Sequence, residues 1–293
     1  MKHSDILHPV SSTFCFLSVL TVAMFAQNPV FRLPALLGGI AFYFCLDGKN
    51  GLRRNIVGDM ILFLLVAVTN PLFVHNGATP LFFLNGNAIT LEAVLCGIDI
   101  SAMLLSVVLW FRCVNIVMTS DKLLYLFGKL SPRISILLSS ALRFVPLFRE
   151  QARKIRTAQK ALGLYASDSI ADRIRASSRT YSALVSWTLE NAVDTGASMK
   201  GRGYELHGRT FYSSYKLKAA DIAVLLVTAA SDIIVGIAAA NGSLGFSFYP
   251  RITEPKADLA TIAAATAFCI ISFLPSVLEA KEAVLWRYYR SKI

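Results

Sequence analysis

Charged residues are scarce in this chain. Only 16% of its 293 residues are Asp, Glu, Lys or Arg, whereas 55% are hydrophobic, and the mean hydropathy is +0.56. A soluble domain carries about 25% charged residues. The deficit excludes an ordinary soluble protein and indicates an integral membrane protein.

The sequence also lacks the motifs of catalysis and of metal binding. It contains no Walker A, GxSxG or HExxH motif and no paired-carboxylate arrangement. Its five cysteines form no CxxC pair, and no two of its four histidines have the spacing of metal ligands on a helix. We therefore expect no enzyme, no metal site and no cofactor in this chain, so any ATPase must be a separate protein.

Apolar segments of membrane length divide the chain. A helix needs ~20 apolar residues to cross ~30 Å of hydrocarbon. Six segments reach or approach that length: Ser12–Ala26, Val30–Leu46, Ile56–Val74, Ile89–Met118, Ala219–Ala240 and Leu259–Leu278. A cleaved signal peptide fits the first segment poorly, because Asp5 offsets Lys2 before it. The expected fold is an all-α integral membrane protein with about six transmembrane helices.

Positive charge is concentrated between the fourth and fifth segments. The stretch Arg112–Lys218 holds 18 Lys and Arg but 7 Asp and Glu, an excess equal to the whole net charge of +11. In contrast, His75–Asn87 has no Asp, Glu, Lys or Arg. The positive-inside rule then places both termini and the basic stretch in the cytoplasm of a multi-pass cell-membrane protein. Contact with lipid headgroups is expected there, and nucleic acid is not, because long apolar faces alternate with the charge.

This pattern divides the chain into three parts. Residues 1–118 form an N-terminal bundle of four spans, 119–218 a cytoplasmic set of amphipathic helices, and 219–293 two further spans with a short cytoplasmic tail.

Within the middle part, periodicity predicts two long helices. One covers Ala141–Gly163 and is begun or kinked by Pro146, and the other covers about Asp168–Lys200 with Asp168 as N-cap. A shorter helix is predicted over Asp121–Leu130. The first of these carries a basic stripe at spacings of 4, 3 and 4: Arg149, Arg153, Arg156 and Lys160.

Both long cytoplasmic helices end in a similar pattern, Ala161-Leu162-Gly163 and Gly201-Arg202-Gly203. Glycine after the last turn permits a left-handed cap and close approach by another backbone. Arginine there complements the helix dipole and can pair bidentately with a carboxylate of a partner. The alternative is two ordinary helix caps with one solvated arginine, and helix chemistry alone leaves both readings open.

Four stretches together resemble the transmembrane T component of energy-coupling factor transporters, the CbiQ/EcfT family. They are Leu7-His8-Pro9, Asn70–Leu84, Ser140–Gly163 and, most specifically, Ser198–Tyr212 (SMKGRGYELHGRTFY). The resemblance implies a coupling subunit that binds two ABC-type ATPase subunits through two short Ala-Arg-Gly-like motifs. It also implies a small membrane substrate-binding subunit for a vitamin or transition-metal ion, with ATP used only by the partners.

Residue by residue, Gly201, Arg202 and Gly203 match the second motif, with Gly201 in place of alanine. The segment Ala161–Gly163 aligns with the first motif, but Leu162 replaces its arginine. Three explanations stay open: apolar packing suffices there, a neighbouring base of the stripe supplies the charge, or the two ATPases differ. We therefore predict that Arg202 carries more of the ionic coupling than the first helix end.

The main rival is a self-contained secondary transporter, which would bind its substrate and coupling ion through charged groups inside the spans. The sequence offers five candidates: Asp59, Glu92, Asp99, Asp221 and Asp232. Asp99 lies deepest within its segment.

Overall fold

A computed structural model describes residues 7–84, 87–164, 169–204, 215–242, 244–253 and 258–290. The elements are α1 (Pro9–Phe25), a 3-10 turn (Pro29–Phe31), α2 (Arg32–Phe73), β1 (Pro80–Leu84), β2 (Asn87–Thr90), α3 (Leu91–Val117), α4 (Ser120–Leu130), α5 (Pro132–Ala161), α6 (Ile170–Gly201), α7 (Ala219–Ala240) and α8 (Leu259–Arg290). They form two compact units. We call Met1–Lys122 with Tyr215–Ile293 the bundle, and Leu123–Ser214 the insert.

The bundle has the helices of a multi-pass membrane protein, which confirms the all-α membrane fold. Five helices in the described residues are long and apolar enough to cross a membrane: Pro29–Gly48, Arg53–Phe73, Leu91–Val117, Ala219–Ala240 and Leu259–Arg290. The first predicted span, Ser12–Ala26, corresponds to α1, a shorter apolar helix of 17 residues. It lies in the core of the bundle, where Val19 and Ala23 are buried.

The second and third predicted spans are the two arms of α2. They meet at Gly48, whose φ of +68° and ψ of −168° break the helix. Only glycine adopts that conformation without strain. Glycine also sets the packing of the first arm on α8, because a Cβ at Gly38 would lie 2.8 Å from the Cβ of Ser272. The two helix backbones can therefore approach closely.

Several helix ends meet at one end of the bundle. Leu7 before α1, Phe42 near the bend of α2, Val117 at the end of α3 and Glu279 of α8 line one small cavity. The backbone N–H of His8 donates to Oδ1 of Asp221 in the first turn of α7, at 2.8 Å. The two chain positions that flank the insert therefore lie at the same end as the start of α1.

Asp221 joins the starts of α1 and α7. Besides the N–H of His8, it accepts hydrogen bonds from Ser11 Oγ at 3.3 Å and from the N–H of Lys218 at 2.9 Å. His8 in turn caps α1, because its Nδ1 accepts from the N–H of Val10 at 3.2 Å. Helix N-termini leave N–H groups that such side chains satisfy. This contact gives Leu7-His8-Pro9 a structural role that the sequence did not reveal.

A β-hairpin lies at the opposite end of the bundle, between α2 and α3. β1 and β2 pair antiparallel, with Phe82 opposite Ile89 and Phe83 opposite Ala88. The sequence analysis predicted no strand here and started the fourth span at Ile89, which is wrong. Ile89 and Thr90 belong to β2, and the helix begins at Leu91 because Thr90 Oγ1 accepts from the N–H of Ala93 at 3.3 Å and caps it.

The insert contains the predicted helices with different starts. α4 confirms the short helix. α5 begins at Pro132, after Ser131 as N-cap, and runs through Pro146, so the prediction that it starts near Ala141 or at Pro146 is wrong. Proline at the first helical position lacks only an N–H that would be unsatisfied anyway. α6 begins at Ile170 with Ser169 as N-cap, whereas the predicted cap Asp168 lies outside the described residues.

Candidate functional site

α5 and α6 pack against each other as an antiparallel pair. Thr180 Oγ1 donates to Gln159 Oε1 at 3.0 Å, and the rings of Phe148 and Trp187 meet edge to face with centroids 6.2 Å apart. The α6 residue of the second contact lies later in the chain than that of the first, whereas its α5 residue lies earlier. The two helices therefore run in opposite directions. Ala161–Gly163 therefore lies near the start of α6, and the end of α6 lies about 33 Å beyond Thr180 along the helix axis at 1.5 Å per residue.

The first helix end is closed by a double hydrogen bond. The N–H of Gly163 donates to the carbonyl of Lys160 at 3.0 Å, and the N–H of Leu164 donates to that of Gln159 at 3.1 Å. Gly163 has a φ of +72°. This combination is the Schellman motif, in which Leu162 is the C-cap residue.

The second helix end repeats this geometry. The N–H of Gly203 donates to the carbonyl of Lys200 at 3.0 Å, the N–H of Tyr204 donates to that of Met199 at 3.2 Å, and Gly203 has a φ of +75°. The backbone angles also agree, with φ −80° and ψ 4° at Leu162 against φ −86° and ψ 6° at Arg202. Leu162 and Arg202 therefore occupy equivalent positions at two equivalent helix ends.

Both helix ends present their side chains at the surface of the insert. Leu162 is 76% exposed, an unusual degree for a leucine, and Arg202 is exposed as well. The basic stripe of α5 is exposed along its length, at Arg149, Arg153, Arg156 and Lys160. Beside it Lys154 contacts Glu150 at 2.8 Å, and this hydrogen bond lowers the pKa of the Glu150 carboxyl. A shallow groove lined by Arg153, Lys154, Thr157, Ala158 and Ala161 runs along α5 to the first helix end.

The cap at the first helix end yields a testable prediction. Gly163→Ala should destabilise the end of α5 by about 1–2 kcal/mol, because an L-residue is strained at positive φ. Apart from its own neighbours in the chain, no atom of the described residues lies within 4 Å of the added Cβ, so the cost comes from the backbone conformation. Hydrogen exchange of the last turn of α5 measures the change.

Gly196→Ala is the matched control for this prediction. Gly196 also has no atom within 4 Å of an added Cβ, but it lies inside α6 without a positive φ. Its substitution should stabilise α6 by roughly 0.5–1 kcal/mol. Equal protection of α5 in the wild-type chain and in Gly163→Ala would contradict the assigned cap.

The described residues contain no group of three or more His, Cys, Asp or Glu side chains that could hold a metal ion. A family model described as a cobalt transport protein, CbiQ, matches residues 6–212. The chain belongs to the CbiQ family. No curated protein matches it significantly. The match covers α1 to α6 and both helix ends, and it stops before α7, so it confirms the family that the sequence motifs indicated.

The acidic residues inside the bundle of this CbiQ-family protein have local partners. Asp99 and Arg32 form an ion pair at 3.2 Å between α3 and α2, and their side chains are only 10% and 9% exposed. The two carboxylate oxygens of Asp59 face two guanidinium nitrogens of Arg112 at 2.8 and 2.6 Å. Both pairs neutralise a charge that would otherwise be costly inside the membrane.

The other candidate acids are held by hydrogen bonds. Glu92 Oε2 accepts from Thr79 Oγ1 at 2.8 Å, and the Asp232 carboxylate accepts from Ser18 Oγ. Asp221 is the cap described above. All five candidates for an intramembrane acidic site therefore have an ion-pair or hydrogen-bond partner within the bundle.

Two buried charged residues, Lys122 and Glu279, were missed by the sequence analysis. Lys122, in the first turn of α4, is completely buried, and its charge attracts that of Glu279 on α8, which is also buried. A lysine near the start of a short amphipathic helix usually faces water, so no signal in the sequence marked it. Both residues belong to the bundle of the CbiQ-family chain, so the interaction lies within that unit.

Proposed function

We propose that this CbiQ-family chain is the transmembrane coupling subunit of an energy-coupling factor importer. Two cytoplasmic ABC-type ATPases bind and hydrolyse ATP, and the chain passes their motion to a separate small substrate-binding subunit in the membrane. The chain itself catalyses no reaction. The observation that carries the proposal is the pair of equivalent, exposed helix ends on an antiparallel two-helix unit.

The two helix ends belong to one packed pair of helices, α5 and α6, which suits the transmission of motion. Each helix end binds one ATPase through its glycine-capped backbone. A change in the distance between the two ATPases then moves α5 and α6. Transmission requires an element with two positions that both partners bias. Arg202 supplies a planar donor for a carboxylate of its ATPase, while Leu162 occupies the equivalent position at the first helix end.

The orientation in the membrane follows from combining charge with the fold. The start of α1 and the flanks of the insert lie at one end of the bundle, and the insert carries the excess of Lys and Arg. The positive-inside rule assigns that end to the cytoplasm. We include α1 as a sixth span, because its 17 residues extend about 26 Å and it is packed in the core among the longer helices.

An exposed apolar face on α6 fits contact with the substrate-binding subunit and the membrane. It includes Ile170 at 76%, Ile174 at 64%, Tyr181 at 70%, Leu189 at 64% and Val193 at 72% exposure. Large exposed apolar patches mark interaction sites. Since α6 is too polar to span a bilayer, such a face implies a lipid surface or an apolar partner beside the insert.

The substrate is a vitamin or a transition-metal ion. The family description names cobalt, and the described residues lack a cluster of metal ligands. This combination supports a substrate site on another subunit. The chain then needs only to move that subunit.

Co-purification and uptake together test the proposal. We expect tagged chain to purify with ABC-type ATPases when the genes that flank it are co-expressed. Uptake of radioactive cobalt(II) or of a labelled vitamin into proteoliposomes should then require these ATPases, ATP and a substrate-binding subunit. Accumulation of either substrate by the purified chain alone would contradict the proposal.

A further inference from the structure

The hairpin, at the end of the bundle opposite the start of α1, exposes an apolar strand. Leu81, Phe82 and Phe83 of β1 are 54%, 54% and 71% exposed. Successive residues of a strand point to opposite faces. Both faces of β1 are therefore apolar and exposed in the folded chain.

The surroundings of this strand are also apolar. No Asp, Glu, Lys or Arg occurs from Val74 to Leu91. The second arm of α2, Arg53–Phe73, has membrane length, only 6% of its most apolar 18-residue stretch is buried, and its last residue, Phe73, is 78% exposed. The apolar surface of a membrane-spanning helix thus continues into the hairpin.

The hairpin is held firmly at its base. Thr79 donates to Glu92 Oε2 from its backbone N–H at 3.3 Å and from Oγ1 at 2.8 Å, and the N–H of Leu91 donates to the carbonyl of Thr79 at 3.1 Å. A Cβ at Gly77 would lie 2.5 Å from Thr90 Oγ1, so the chain passes close to the cap of α3. The strand is therefore presented in a defined position.

We propose that this hairpin inserts β1 into the bilayer at the boundary between headgroups and acyl chains. A protein partner that docks on a strand covers one of its faces and leaves the other to water. Two exposed apolar faces instead require an apolar medium on both sides, which lipid provides. The depth follows from the backbone, because the unpaired edge of β1 has N–H and C=O groups that need water or headgroups and cannot lie in pure hydrocarbon.

Spin labels report the environment of the strand directly. We would label Phe83→Cys in the full-length chain in liposomes, with Cys45, Cys96 and Cys269 replaced by alanine. Cys15 and Cys113 can remain, because they are 3% and 0% exposed. Leu64→Cys, a 61% exposed position on the second arm of α2, is the lipid control. Arg251→Cys, exposed in the loop before α8, is the aqueous control.

The measured quantity is the collision rate of each label with oxygen, which concentrates in lipid, relative to a water-soluble nickel chelate. We expect the oxygen-to-nickel ratio at residue 83 to exceed that at residue 251 by roughly threefold or more and to approach that at residue 64, since the side chain lies among acyl chains. A ratio equal to that at residue 251 would place the strand in water and overturn the proposal. Low accessibility to both reagents would also overturn it, because a protein then covers the strand. If the Phe83→Cys chain fails to fold, the same comparison at Phe82→Cys decides.

Discussion

Arg202→Glu is expected to weaken binding of an ABC-type ATPase to the chain by at least about 30-fold. In the proposed docking, the substitution removes the cation that pairs with a carboxylate of the ATPase and puts a like charge in its place. Loss of one member of a buried interfacial charge pair costs about 2–5 kcal/mol, and about 1.4 kcal/mol corresponds to a factor of ten. The measurement is equilibrium binding of the purified ATPases to the chain in nanodiscs.

Arg179→Glu provides the matched control. Arg179 is an exposed arginine on the same helix, and its substitution changes the net charge by the same amount. It lies 23 residues before Arg202, in the first third of α6. If the loss arises from the general charge of the insert, the two variants will weaken binding equally, and Arg202 then has no specific role in docking.

The equivalent first helix end gives the opposite expectation. Leu162→Arg places the family's usual residue on a backbone with the same cap geometry as that of Arg202. Binding should stay the same or become tighter, since the exposed side chain has room to move. A clear loss of binding would show that the groove at this end is apolar and has diverged together with Leu162. In that case the two ATPases are recognised by different chemistry.

The parts of the fold that were predictable depend on local periodicity. The apolar segments, the basic stripe of α5 and the glycines after each long helix can all be read within a few turns of chain. Charge counting located the basic stretch Arg112–Lys218, and the structure separates Leu123–Ser214 as a unit of its own. The start of α5 was misjudged: the helix was predicted from Ala141, with Pro146 beginning or kinking it, whereas it begins at Pro132 and contains Pro146. A proline is thus a weaker boundary signal than the N-cap serine before Pro132.

The rest depends on contacts between distant parts of the chain. Asp221 had the pattern of an intramembrane acid, yet its oxygens cap two helices whose starts are more than 200 residues apart. The bend at Gly48 and the β-hairpin likewise had no periodic signal. The equivalence of Leu162 with Arg202 could be suspected from the sequence, but only the matching hydrogen bonds and φ values at Gly163 and Gly203 establish it.

Asp99→Asn is expected to destabilise the bundle by about 3–5 kcal/mol, because it leaves the charge of Arg32 buried without its counter-ion. Such a loss corresponds to a fall in melting temperature of roughly 10 °C for a chain of this size. Thermal unfolding in detergent measures it. Asp47→Asn is the control. Its ion pair with Arg54 at 3.3 Å is exposed, with side-chain exposures of 39% and 73%, so its removal should cost less than about 1 kcal/mol.

The double variant Arg32→Met, Asp99→Leu separates structure from transport. Removing both charges together eliminates the unpaired cation, and apolar replacements of a buried pair are often neutral or stabilising. We therefore expect its melting temperature to recover most of the loss seen for Asp99→Asn. Uptake by the assembled complex should recover in parallel if Asp99 does no more than neutralise Arg32. A double variant that folds and binds its ATPases normally but transports nothing would make Asp99 part of a substrate or ion path. That result would return this chain to the class of transporters with an intramembrane acidic site.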